Sequence, residues 1–355
     1  KVLQVIDTLA VGGAEKVLVT LANIQLQYGD EVTVLTLLHS GILAAQLDPD
    51  VPVISLRRGW KFNPFTMYRF ARISRQFDLI HVHSAHNLRY VFLASRLFGI
   101  KQPIFFHEHF GNIEINKSVS WHQRLIYPRV TLISVSKLIC LWAIHHVGVP
   151  NKKVYLLYNI VPTTPYISNS YMKEEKGVSI LITGNILRSK NIVFALEVVS
   201  ALLQNTPGSL TILGRIVDPV YFQELKVIID RLGLASNVHF IHDCIDIQPV
   251  LHQFDIGIHT SLFESGPLVL IEYLAQGLPF LSYRTGEVAR IVETHFPEFV
   301  IDNFEIDAWV ESLNRLLSKT GKEYGLELRS FYEEKFSEEI YYQKCHNIYK
   351  SVLHF

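Results

Sequence analysis

Apolar residues along this chain change period at regular intervals. Residues 1–9, KVLQVIDTL, form a short run of aliphatic and β-branched side chains, and the next segment repeats apolar positions at 17, 18, 21 and 24. The first pattern predicts a strand and the second a helix. Strand-like runs return at 31–38, 52–56, 78–84, 103–109 and 131–136, with helical spacing over 64–77 and 87–98. The alternation restarts at 178–185. It continues through strands at 209–214, 238–242, 255–261 and 279–283, with helices over 191–204, 219–232 and 267–276. Strands separated by helices predict βα units on parallel sheets. Between the two sets, 159–177 carries Pro162, Pro165 and several Ser, Thr and Asn residues without a periodic apolar face. Such a stretch predicts a connector. The expected organisation is an N-terminal Rossmann-like domain at 1–160, a linker at 161–177, a second Rossmann-like domain at 178–335 and a closing helix at 336–355. That helix opens on Ser337 followed by glutamates, and packing back on the N-terminal domain is one outcome weighed for it.

Composition narrows the class. With 355 residues, 49% of them hydrophobic, the chain supports more than one packed interior. Lys plus Arg and Asp plus Glu balance at 33 each, so no overall field recruits nucleic acid. Three dispersed cysteines, Cys140, Cys244 and Cys345, suit buried or incidental thiols better than a disulfide framework. No apolar run reaches the length of a membrane span and the first residues show no secretory pattern, so a cytoplasmic location is expected.

Chemistry concentrates in three turns. FESGPLVLIEYLAQGLP, 263–279, sets Glu264 and Glu272 on either side of an apolar run, with Gly266 and Pro267 at the expected helix start. The free N–H groups of a helix beginning there suit a phosphate. The two carboxylates stand too far apart to share a proton, but they suit hydroxyls on either side of that phosphate. The bland alternative is a capping Glu264 and a solvated Glu272. TGNILRSKN, 183–191, places Arg188 and Lys190 at a strand-to-helix turn, where cations suit a diphosphate. Gly12 and Gly13 in GGAEK form the matching turn of the first half, where a bare backbone approaches a ligand closely.

Together, GGAE after the first strand, TGN…SKN opening the second domain and ESGPLVLIE followed by AQGLPF resemble the family-four (group 1) retaining glycosyltransferases. The resemblance implies a GT-B-like α/β fold, with two facing Rossmann-type domains and a donor and acceptor cleft between them. It implies transfer of a hexose from a nucleoside-diphosphate sugar, UDP favoured, to a glycan or lipid-linked acceptor. No cofactor or metal is expected. Glu264 would contact the transferred sugar, Glu272 the ribose and Lys190 the diphosphate. Ser265, Gly266, Pro267 and Leu268, with Gly12 and Gly13, would line the donor site. Asn185 stands where the family usually carries the arginine that partners the lysine; either Arg188 replaces it or the diphosphate is held less tightly.

Histidine is abundant, at 16 residues. His81 and His83 would share one strand face, as would His107 and His109. Clustered imidazoles raise a zinc alternative, although neither a cysteine set nor an H-x-x-x-H pair accompanies them. The resemblance places a strand-end histidine beside the donor sugar, which points first to His109 as a catalytic group with Glu264 and Lys190, and next to His107. Residues 57–77 interleave six basic residues with Trp60, Phe62, Phe65, Tyr68 and Phe70. Either the aromatics are core and the arginines a solvated face, or the segment makes peripheral contact with the inner face of a membrane. Two rivals remain: a nucleotide-sugar epimerase or hydrolase of the same fold, and a non-catalytic sugar-nucleotide or glycan-binding protein.

Overall fold

The structure, a computed structural model, describes residues 1–60, 62–109, 113, 115–166, 177–242, 244–318 and 321–353. Contacts divide the chain into two units, Lys1–Pro162 with Glu338–Phe355, and Thr163–Ser337. Most of the connector read at 161–177 (167–176) lies outside the described residues.

Among the described residues, the N-terminal unit holds β1 (Val2–Thr8), β2 (Val32–His39), β3 (Val53–Ser55), β4 (Leu79–His83), β5 (Ile104–Glu108), β6 (Thr131–Ser134) and β7 (Val154–Leu156). They form one sheet in the order β3-β2-β1-β4-β5-β6-β7 with every pairing parallel. Leu3, Val5, Leu35, Ile80, Val82, Phe106 and Leu132 are fully enclosed, as expected for strands covered on both faces. One patch departs from this rule. Gln4, His81, His83 and His107 are completely buried, and the register sets Gln4 opposite His81 and His83 opposite His107. All four therefore project from one face of the sheet.

The last helix, Glu338–Leu353, belongs to this unit although the rest of the preceding chain folds elsewhere. Tyr341, Cys345, Ile348 and Tyr349 are its buried stripe, at helical spacing. Tyr342 stacks on Tyr28 with centroids 4.2 Å apart, and the Tyr349 ring meets Phe105 edge-on at 4.9 Å.

The C-terminal unit repeats the winding. β8 (Val178–Thr183), β9 (Gly208–Leu213), β10 (Val238–Ile241), β11 (Ile256–His259), β12 (Phe280–Tyr283) and β13 (Val300–Ile301) align in the order β10-β9-β8-β11-β12-β13, again all parallel. Phe194 against Trp309 at 5.4 Å and Phe280 against Phe299 at 5.4 Å anchor its interior. Both sheets reverse their winding next to their first strand, between β1 and β4 and between β8 and β11. Loops part at such a point and leave a crevice at the strand C-termini.

Several elements depart from the sequence prediction. β7 and β13 are too short to carry a period, and helices Trp121–Ile126, Lys137–Trp142, Gly286–Glu293, Ile306–Ser318 and Gly321–Phe336 lie outside the predicted set. The helix expected from Pro267 starts at Leu268, because Pro267 is still extended at φ −63° and ψ 115°. In 57–77, Trp60, Phe62, Phe65 and Tyr68 are exposed and only Phe70 of the five is enclosed, so the core reading of these aromatics fails for four of them. Lys61 lies outside the described residues.

β8 and β9 leave no room at their C-terminal ends. A Cβ on Gly214 would lie 1.9 Å from the Gly184 carbonyl oxygen. Gly214→Ala must therefore push the two strand ends apart, at a cost of about 1–3 kcal/mol. The expected outcome is a melting transition of the C-terminal unit lowered by several degrees in scanning calorimetry. An unchanged transition would show that the strands are not locked together there.

Candidate functional site

In the C-terminal unit, the loops after β8 and β11 meet around one ion pair. Lys190 ends a short 3-10 turn, Arg188–Lys190, and its Nζ donates to Oε1 of Glu264 in the loop after β11. The Thr260 hydroxyl donates to the Lys190 carbonyl at 2.9 Å and the Leu262 N–H to the Ser189 carbonyl at 2.8 Å, so backbone bonds hold the loops together as well. The Glu264 N–H is received by Thr285 Oγ1 at 2.9 Å, and His259 Nε2 lies 3.8 Å from Glu264 Oε1. Burial alone would raise the Glu264 carboxyl, but the Lys190 ammonium and then His259 outweigh it and hold the group far below the usual carboxylate range. Glu264 is consequently an acceptor and not an acid.

Two glycines make this seat. Gly184 has φ +142°, and a Cβ there would press on the Lys190 side chain at 3.1 Å. Gly286 has φ +75°, with its missing Cβ directed 2.7 Å from Pro267 and 3.2 Å from Glu264. Left-handed backbone and close approach both favour glycine. The helix Leu268–Ala275 starts beside Glu264, and its preceding turn is fixed by the Glu287 N–H donating to the Ser265 carbonyl at 2.8 Å. Its free N–H groups give that end a partial positive charge. Tyr273 ties the helix to β8 through Thr183 Oγ1 at 3.1 Å. Glu272, in the second turn, is only 5% exposed, so the solvated reading of this carboxylate fails. The capping reading of Glu264 fails too, since its side chain goes to Lys190.

Arg188 does not join the pair. Its guanidinium donates to Glu224 at 2.6 Å, lies 3.8 Å from Asp218 and covers the Tyr221 ring at 5.1 Å. Asn185 follows β8, and the pairing of Thr183 with Leu213 and of Ile186 with Ile216 sets Arg215 directly across from it. Arg215 is exposed at that strand end. Sequence reading missed it, along with His259, Thr285 and Gly286; Arg215 had a usable signal in its position just past a predicted strand.

In the N-terminal unit, Gly12 caps the helix Gly13–Gln27 in an extended conformation, and a Cβ there would strike the Glu15 carboxylate at 2.3 Å. His109 follows β5; Phe110 and Gly111, which continue its motif, lie outside the described residues. Its ring lies 4.2 Å from that of His107 and 5.4 Å from that of His83, between centroids. His81 stacks on His83 at 4.6 Å. The rings of His81, His83 and His107 bring nitrogens within 4.8 Å of one another, the arrangement that the zinc alternative requires. Their planes are stacked or tilted instead of converging, and His83 has both nitrogens hydrogen-bonded.

Comparison with known proteins gives a consistent picture. Residues 165–333 match the family described as glycosyl transferases group 1, and residues 11–164 match the Glycosyltransferase Family 4 description. EpsF of Bacillus subtilis (strain 168), named as a glycosyltransferase, is 25% identical over 239 residues, which span 61% of this chain and 61% of EpsF. An Escherichia coli UDP-Gal:alpha-D-GlcNAc-diphosphoundecaprenol alpha-1,3-galactosyltransferase is 24% identical over 71% of this chain and 69% of its own. Among solved structures, Anabaena Alr3699/HepE in complex with UDP and glucose superposes with a TM-score of 0.80, covering 99% of this chain and 100% of that one at 17% identity. The fold is GT-B.

The buried imidazoles make stability depend on pH. Burial first, then the neighbouring rings, lowers His81 to about 3 and His83 and His107 well below the ordinary histidine value; burial lowers His109 to about 4. Below pH 6.5 the unfolded chain binds protons that the native rings refuse. Stability is therefore complete above about pH 6.5 and falls as pH drops toward 4, by about 1.4 kcal/mol per pH unit for each ring. Urea unfolding of the N-terminal unit at pH 7.5, 6 and 5 should show a steep loss over a range in which ordinary carboxylates stay mostly ionised. Equal stability at pH 7.5 and 5 would mean that the rings are not enclosed.

Proposed function

Because the chain belongs to the family-four, group 1 glycosyltransferases, we propose that it moves a hexose from a UDP-sugar to a glycan or lipid-linked acceptor, with retention and without a divalent metal. The observation that carries this reading is the Lys190–Glu264 pair at the β8/β11 switch point, beside the start of the helix Leu268–Ala275. An incoming diphosphate competes with Glu264 for the Lys190 ammonium. Lys190, Arg215 and the N–H groups around Gly266–Leu268 take the phosphate charge. Glu264, released from Lys190, accepts hydrogen bonds from the sugar hydroxyls, and Glu272 accepts from the ribose.

During transfer the bond from the sugar C1 to the diphosphate oxygen breaks, and these groups stabilise the charge on the departing oxygen. The acceptor oxygen bonds to C1 from the same face, and its proton passes to the leaving phosphate. No carboxylate is assigned as a covalent nucleophile. UDP and a diphosphoundecaprenol acceptor are what the name of the Escherichia coli relative carries, and they favour the same classes here. Asn185 and Arg188 are second to Lys190 in this account: Asn185 is neutral, and Arg188 is paired with Glu224.

Calorimetric titration with UDP, GDP and ADP in EDTA tests the donor site. UDP should bind tightest. Glu272→Ala should weaken it about 10–100-fold, as expected for loss of hydrogen bonds to a charged group. Lys190→Ala should weaken it at least as much, and Arg215→Ala less. Failure of every nucleotide to bind would remove the donor assignment. Binding with product but no acceptor requirement would favour the hydrolase or epimerase, and binding without any turnover the non-catalytic rival.

On the acceptor side, Trp60, Phe62, Phe65 and Tyr68 stand exposed next to Arg57, Arg69 and Arg72. This surface suits an anionic bilayer presenting a lipid-linked acceptor. The protein should float with phosphatidylglycerol-containing vesicles and not with phosphatidylcholine alone, and Phe65→Ser should weaken that binding. Equal recovery with both vesicle types would remove the electrostatic contact.

A further inference from the structure

Beneath His109 runs an unbroken line of hydrogen bonds through the polar patch of the N-terminal sheet. His109 Nε2 lies 3.2 Å from His83 Nδ1, and His83 Nε2 lies 3.0 Å from Gln4 Oε1. Gln4 Nε2 donates to Gln25 Oε1 at 2.8 Å, Gln25 Nε2 donates to the Tyr349 hydroxyl at 3.3 Å, and that hydroxyl lies 2.6 Å from His81 Nδ1. Donor and acceptor roles propagate along it. A carbonyl oxygen of Gln4 only accepts, so His83 carries its proton on Nε2. A neutral ring then has a lone pair on Nδ1, and the proton between the two histidines belongs to His109 Nε2. At the far end the Tyr349 oxygen receives from Gln25, and its own proton can go to His81 Nδ1 or to Cys345, its other hydrogen-bond partner.

Every link from His109 as far as Tyr349 therefore points away from His109. Reversing any one link between His109 and Tyr349 alone would set two donors or two acceptors face to face in a dry interior, so the only other consistent setting of those links reverses them all together.

We propose that His83 is a positioning residue that holds His109 as the Nε2–H tautomer with a fixed ring, and that Tyr349, on the helix from the far end of the chain, anchors the line. This rests on the glycosyltransferase reading only for the importance of His109 to transfer. The groups that face His83 are the rings of His81, His107 and His109. Tyr349 lies at the far end of the line with Cys345 beside it, and Asn87 holds the His83 carbonyl at 2.8 Å. None is a carboxylate, and burial keeps the rings neutral. His109 also hydrogen-bonds the Asn159 side chain. With the line in place, His109 presents the same neutral edge across the physiological pH range. A metal on His81, His83 and His107 would need a lone pair that His83 has already committed.

Ring nitrogen resonances of the full-length protein labelled with 15N-histidine test the line. At pH 7.5, His83 and His109 should both show the Nε2–H pattern, unchanged down to pH 6. His83→Leu should convert His109 to a tautomer mixture and lower kcat for donor turnover about 10–100-fold, while UDP affinity changes less than about threefold. His83→Asn keeps an acceptor where Nδ1 stood, and should restore kcat to within about threefold of wild type. Tyr349→Phe, which removes a single hydroxyl, should loosen the His109 tautomer to a smaller degree and tests the line even if His83→Leu does not fold. An Nδ1–H pattern for His109 in the native protein would overturn the proposal. So would unchanged His109 resonances in both variants, or stoichiometric zinc that shifts His83. Loss of UDP binding in the wild type would instead remove the functional reading, leaving the tautomer measurement to judge the line alone.

Discussion

A parallel sheet delivers every strand's C-terminal end to one edge, and crossover helices leave that edge open where the winding reverses. Both units of this chain obey that constraint with the same strand order, and their chemistry follows from it. Around the reversal between β8 and β11, two successive loops carry Lys190 and Glu264 to within contact although 74 positions separate them in the chain. The reversal between β1 and β4 gathers Gly12 and Gly13, His83 and, one strand further, His107 and His109 in the same way. Lys190 and Glu264 occupy this edge because loops there are free to vary, whereas His83 and His107 are strand residues enclosed beneath it.

Electrostatics then decides what the C-terminal edge does. A half-enclosed carboxylate would normally drift toward its neutral form. Lys190 prevents this, and the pair leaves a cation, an anion and a helix N-terminus within one small surface. Such a set is neutral enough to fold. On the proposed reading it is also easily re-sorted, because a diphosphate would be a better partner for Lys190 than a single carboxylate and would leave Glu264 free for hydroxyls. On that proposal the same groups stabilise the empty protein and the occupied one, with partners exchanged.

How much of this was legible in the sequence depends on the range of each interaction. The alternation of periods was readable because it is local, as were the short motifs that make Glu264, Glu272 and Lys190 candidates. The partner of Glu264 was not, since it comes from a different loop. Nor was the pairing of Arg188 with Glu224, 36 positions on, which removes a cation that its position in the turn seemed to offer. The solvated alternative for Glu272 rested on residue type alone, and it fails because the helix carrying it is enclosed on nearly every side. β7 and β13 escaped because two or three residues cannot display a period. Exposed aromatics in 57–77 escaped for the opposite reason, since residue type argues for burial and only the fold shows the face they occupy.

Histidine placement was the least readable feature and has the widest consequences. Pattern alone placed His81 and His83 on one strand face, but not what faces them: Tyr349 is 268 positions from His81 and lies on a helix whose own stripe gives no hint of a polar partner. Enclosing imidazoles is expensive unless they stay neutral and bonded. The sheet meets that requirement by aligning Gln4 with His81 and by setting Gln25 and Tyr349 over them, so that each satisfied group fixes the next. His107, whose two ring nitrogens have no hydrogen-bond partner among the described residues, stands outside the line, and Nε2 of His81 is likewise without one. His107 packs against His109 with ring centroids 4.2 Å apart and takes no part in the line. The return of the last helix to the first unit is what closes this patch from water, and a chain that ended before it would leave the same histidines solvated and free to titrate.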